Sequence, residues 1–151
     1  MSEHEFVKPG ILIASHGDLC VGIQDSARMI GMSLDNVVAK PLREGVSPAT
    51  YESELREVLN GFPPGSIVLI DLFGGTPFNV LAKILPDYPD IHAAAGLNLP
   101  MLLEVCGACN FMKGQELIQS ALNAGREGVV DINHFVNDLL SAKKEEDDED
   151  I

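Results

Sequence analysis

Four consecutive apolar residues, Ile67-Val68-Leu69-Ile70, constrain this chain more than anything else in it. A strand apolar on successive positions presents an apolar side chain to both faces of its sheet, so layers must cover both faces. Ile11-Leu12-Ile13-Ala14 repeats the pattern near the start of the chain. Both runs end on polar residues: Ser15-His16-Gly17-Asp18 after the first, Asp71 and Gly74-Gly75-Thr76-Pro77 after the second.

Helical spacing fills the intervals. Leu19, Ile23, Ala27 and Ile30 follow the first strand, read as Gly10 to Ser15. Asn36 to Ala39 reads as a second strand. Ser47 caps a helix with Pro48 in its first turn and Tyr51, Leu55, Val58 and Leu59 on one face. The third strand is read over Ile67 to Leu72, and a helix beginning near Pro77 turns Phe78, Leu81, Ala82 and Leu85 toward the sheet. Ile91 to Ala95 is the fourth strand, Pro100 to Cys109 and Gln115 to Ala124 are helices, Gly128 to Ile132 is a fifth strand, and His134 to Ala142 a closing helix. Strands alternating with helices predict an α/β, doubly wound, mainly parallel sheet of order 2-1-3-4. Residues 1–142 form one domain with no internal repeat, and a length of 151 residues supports a core without disulfides or metal.

The formal net charge of -13 argues against nucleic acid or an anionic membrane as partner, because no basic patch exists to neutralise phosphates. Part of that charge lies in residues 143–151, Lys143-Lys144-Glu145-Glu146-Asp147-Asp148-Glu149-Asp150-Ile151, which read as a disordered acidic tail. The start, Met1-Ser2-Glu3-His4-Glu5, lacks the basic and apolar regions of a signal peptide, and no apolar run is long enough to span a bilayer. With three cysteines and no secretory context, a cytoplasmic location is expected.

In a 2-1-3-4 sheet, ligands bind outside the carboxyl ends of the strands where the winding reverses, between strands one and three. That rule places His16 beside Asp71. A neutral imidazole attacks phosphorus through one nitrogen while its proton sits on the other, and a carboxylate accepting that N–H fixes the tautomer and stabilises the ring's growing positive charge. Gly74 and Gly75 permit a tight turn, and Thr76 is read as the N-cap with Pro77 at the first helical position, so free N–H groups face the crevice. The Ser15 and Thr76 hydroxyls add hydrogen bonds to a phosphoryl group. Singly, each residue has an ordinary explanation in loop or cap; together they point to a phosphorylatable histidine that needs neither cofactor nor metal.

Cys106-Gly107-Ala108-Cys109 has redox or metal spacing, but no second pair or nearby histidine completes a site, so both read as structural thiols. Cys20 reads as packing, and His4, His92 and His134 as surface or packing residues.

Four blocks then resemble the mannose-type enzyme IIA family of the bacterial phosphoenolpyruvate-dependent sugar phosphotransferase system (PTS). They are Ser15-His16-Gly17, Ile70 to Asn79, Ala95 to Glu104 and Gly125-Arg126-Glu127-Gly128-Val129. In order and spacing they cover the chain from Gly10 to about Ile132. The resemblance implies that His16 is phosphorylated by the phosphocarrier HPr, that Asp71 hydrogen-bonds its ring, and that Thr76 stands beside the phosphohistidine. It implies a docking rim of Phe73 with a loop of Asn98, Leu99, Pro100 and Met101. It also implies a homodimer in which the fifth strand is exchanged between subunits. The acceptor would be a IIB protein, here a separate chain because the sequence ends in its acidic tail, and IIC and IID membrane components would tether the relay indirectly to the inner face of the membrane. Two rivals stay open: a phosphocarrier for a dihydroxyacetone kinase system, and a non-catalytic anion-binding regulatory domain.

Overall fold

The computed structural model describes residues 5–149; His4 and the last two residues of the acidic run lie outside them. β1 (Ile11–His16), α1 (Leu19–Ile30), β2 (Val37–Leu42), α2 (Pro48–Asn60), β3 (Ile67–Ile70) and α3 (Gly75–Ile84) follow in order. After a single 3-10 turn at Leu85–Asp87 come β4 (His92–Ala95), α4 (Leu99–Ala108), α5 (Gly114–Glu127) and α6 (Ile132–Glu149). The sheet is all parallel in the expected order β2-β1-β3-β4.

Period-2 alternation divides the core. Ile11, Ile13, Ile67 and Leu69 point to one face, where Cys20 and Ala27 of α1, Leu102 and Val105 of α4 and Leu117 of α5 cover them. Leu12, Ala14, Val68 and Ile70 point to the other, under Tyr51, Leu55 and Leu59 of α2 and Val80, Leu81 and Ile84 of α3. Both central strands are therefore sealed on both sides, as their unbroken apolar runs require. Tyr51 is fully buried and resolves its hydroxyl by donating to the Lys40 carbonyl at 2.6 Å. Burial raises its phenol pKa.

Ser47 caps α2 as expected, its Oγ accepting the Thr50 N–H at 3.1 Å. β2 runs three residues beyond the predicted Ala39 and includes Pro41. Proline is tolerated there because β2 is an edge strand, where a missing N–H breaks no ladder on the open side.

The C-terminal part departs from expectation. Gly128 to Ile132 is no strand within the chain: Gly128 closes α5, and Asp131 starts α6 by accepting the His134 N–H at 3.1 Å. The run expected to be disordered continues α6 as far as Glu149. Ala142 through Glu146 are good helix formers, and Lys143 and Lys144 precede Asp147 and Asp148 by four, the spacing of helical ion pairs. The described side chains of α6, as far as Asp148, are all exposed, including Phe135, Val136, Leu139 and Leu140.

Candidate active site

β1 and β3 end side by side. Asp71, one residue past β3, extends the ladder by donating its N–H to Ala14 at 3.1 Å. Its side chain then reaches His16, the last residue of β1. Asp71 Oδ2 accepts the His16 backbone N–H at 2.9 Å and lies 3.0 Å from ring Nδ1. The carboxylate is nearly buried, 11% exposed, while the imidazole is 45% exposed. Asp71 Oδ1 is buried without a donor among the described residues, so the ring and the strand-end N–H are what this carboxylate serves. An Nδ1–H donating to Oδ2 leaves the Nε2 lone pair free.

Nε2 faces Gly75, the first residue of α3. A Cβ at Gly75 would stand 2.7 Å from Nε2 and 2.8 Å from Cε1, and the backbone there has φ +83°. Only glycine both adopts that conformation and leaves the space before the nitrogen open. Gly74 (φ 110°) is the N-cap. The first-turn N–H groups of Gly75 and Thr76 have no intrahelical partner, Pro77 has no N–H at all, and the positive end of the α3 dipole lies beside the open nitrogen.

Several expected roles change. Thr76 is not the N-cap; it is the second helical residue, half-buried, and it borders a recess between α2 and α3 with Pro48, Glu52 and Asn79. The two glycines start the helix a turn's fraction earlier than Pro77 suggested. Ser15 is fully buried, its hydroxyl donating to the Gly17 carbonyl at 2.8 Å and accepting the Cys20 N–H at 2.9 Å, so it shapes the His16 turn and is not free for a phosphate. Asn98, Leu99, Pro100 and Met101 form no loop over the crevice. Asn98 caps α4 through the Met101 N–H (2.9 Å) and donates to the Gly125 carbonyl (3.0 Å), Met101 is buried, and Gly125 and Gly128 admit Met101 and Pro100 where a Cβ would collide. Those residues fasten α4 to α5.

Phe73, one of the expected rim residues, is 79% exposed and packs its ring against Phe78 in a tilted arrangement, with centroids 4.7 Å apart; its neighbour Leu72 is exposed too. Cys106 and Cys109 are buried free thiols of α4 and its C-cap, burial pushing Cys106 up to about 11, and no cluster able to hold a metal occurs among the described residues. Cys20 is buried likewise. His134 pairs with Asp138 on α6, and His92 lies against Gly114, both far in sequence from the site.

Arg43 and Asp18 escaped the sequence reading. Arg43 follows β2 and pairs with Asp18 at 3.0 Å, beside His16. Ending the second strand at Ala39 hid this; the three extra residues of β2 carry Arg43 to the sheet end that holds the histidine.

The sequence profile of the family described as "PTS system fructose IIA component" matches residues 10–122. The chain belongs to this family. As an EIIA component it is 31% identical over 112 residues to the PTS system fructose-specific EIIA component of Bacillus subtilis, covering 73% of this chain and 77% of that one. It is 31% identical over 124 residues to the mannose-specific EIIAB component of Escherichia coli K12, covering 79% of this chain but only 38% of that longer protein. Among solved structures, an EIIA component from Streptococcus agalactiae superposes with a TM-score of 0.77 at 31% identity, covering 83% of this chain and 98% of that one. A mannose/sorbose-specific IIA subunit from Enterococcus faecalis gives 0.76 at 27% identity, covering 83% and 95%. This EIIA has no helix, among its described residues, long and apolar enough to cross a membrane.

Proposed function

We propose that this EIIA is a phosphoryl relay: HPr phosphohistidine gives its phosphoryl group to Nε2 of His16, which passes it to a histidine of a separate IIB protein. The observation that carries this reading is the division of labour around one ring, with Nδ1 3.0 Å from Asp71 and Nε2 facing a Cβ-free helix start. The donor's P–N bond breaks as the bond to Nε2 forms. The donor ring, protonated on its other nitrogen, leaves as neutral imidazole, and the His16 ring, keeping its Nδ1 proton, becomes cationic against the Asp71 carboxylate. No proton is lost, so the protein's work is positioning and charge stabilisation. The α3 N–H groups hold the phosphoryl oxygens, and exposed Leu72 and Phe73 offer apolar surface for transient docking.

Two copies would associate through the 128–132 segment. β4 pairs with β3 on one side only, its other edge adjoins an apolar groove lined by Phe78, Leu81, Leu85 and Ala93 to Ala95, and Val129 and Val130 are exposed. Partner proteins in the membrane would bring the relay to its inner face. Incubation with phosphoenolpyruvate, enzyme I and HPr tests the relay: an acid-labile adduct on His16, absent in His16→Ala, is expected, and its absence from the wild type overturns the proposal. Discharge by a IIB protein, and not by a dihydroxyacetone kinase subunit, then identifies the acceptor.

A further inference from the structure

We infer that Arg43 is a phosphoryl-binding residue, stored on Asp18 in the free protein and handed to the phosphoryl group once His16 carries one. The inference rests on the relay reading above and adds a residue and a rearrangement to it.

The placement comes from the sheet. His16 is in register with Leu42, Gly17 donates its N–H to the Leu42 carbonyl at 2.7 Å, and Arg43 leaves β2 one residue further on. A recess of about 450 Å³ opens there, lined by His16, Gly17, Leu42, Arg43 and Glu44. Among the described residues, Arg43 is the one guanidinium or ammonium side chain in that lining. A phosphoryl group brings up to about two negative charges. Asp71, Asp18 and Glu44 already make the surroundings acidic, so the phosphorylated site has a shortage of positive charge that this residue can meet.

Asp18 is a temporary holder by construction. It occupies the N-cap position of α1, where an aspartate normally accepts helix N–H groups, yet its side chain makes no such bond. Ser15 does that work, accepting the Cys20 N–H at 2.9 Å. The Asp18 carboxylate is thereby left to Arg43, with Oδ1 3.0 Å from Nη2 and Oδ2 3.4 Å from Nη1. Both side chains are about three-fifths exposed, and ion pairs in such surroundings are weakly held. A dianionic phosphoryl group offers the planar guanidinium a geometry matched to its fork and a larger charge than a carboxylate. Exchange from Asp18 to the phosphoryl oxygens follows.

The test compares wild type with Arg43→Ala, Arg43→Lys and Asp18→Asn, each charged by phosphoenolpyruvate, enzyme I and HPr. Two readouts are taken: the rate of charging, and the pH midpoint of the phosphohistidine ³¹P signal. Loss of the guanidinium is expected to slow charging roughly tenfold and to move the midpoint upward, because a nearby cation favours the dianion. Lysine should restore part of both. Asp18→Asn frees Arg43 and should charge at least as fast as wild type. Wild-type values for both readouts in Arg43→Ala, or the same losses in Asp18→Asn as in Arg43→Ala, overturn the role of Arg43 while leaving the relay standing. A wild type that takes no label removes the relay itself, and this inference with it.

Discussion

Asp71 Oδ2 serves His16 twice, fixing the backbone N–H at 2.9 Å and facing ring Nδ1 at 3.0 Å. The same oxygen sets where the residue sits and which nitrogen is free. Asp71→Asn keeps the shape but removes the charge and admits the wrong tautomer. We expect His16 charging by phospho-HPr to fall about a hundredfold or more, with the circular dichroism spectrum unchanged. Equal rates would remove Asp71 from the mechanism.

Gly75→Ala places a Cβ 2.7 Å from Nε2 on a backbone at φ +83°. The strain costs on the order of 1–3 kcal/mol, and the methyl group takes the space a phosphoryl group needs. Thermal melting should show a modest loss while labelling at His16 largely disappears. Normal labelling would mean that the phosphoryl group attaches elsewhere.

Ser15→Ala separates a structural from a phosphate-binding role. It leaves the Cys20 N–H and the Gly17 carbonyl short of a buried partner. Urea unfolding should show a loss of about 1–3 kcal/mol, with the charging rate per folded molecule changed much less than in Asp71→Asn. A large rate loss without destabilisation would return Ser15 to the phosphate.

The three cysteines should resist an aromatic disulfide reagent in the native protein at pH 8 and react when it is unfolded. All three are buried, and burial raises the Cys20 and Cys106 thiols, leaving little thiolate. Fast labelling of the native protein would show that the α1–α4 side of the core opens.

The layered architecture was legible because Ile11 to Ala14 and Ile67 to Ile70 are apolar on consecutive positions, and few folds bury such strands on both faces. The neighbourhood of His16 and Asp71 followed from strand order alone. Where hydroxyls and loops point did not. Ser15 has the right chemistry for a phosphate, but its hydroxyl is consumed by its own turn, a consequence of rotation about a strand end. Asn98 to Met101, expected from the family resemblance as a loop over the crevice, are the cap and first turn of α4. Gly128 to Asp131 carries two valines with no strand beside them in the chain, and the segment links α5 to α6, whose first turn Asp131 caps.

The imidazole meets Asp71 at Nδ1 and borders Gly75 at Nε2, and its exposed part is the doorway to that nitrogen. Under the relay reading, donor and acceptor must both use that doorway. They would compete for it, and a cell with a large excess of uncharged donor would throttle delivery to the acceptor. Throughput would then depend on the ratio of the two partners as well as on the speed of either transfer.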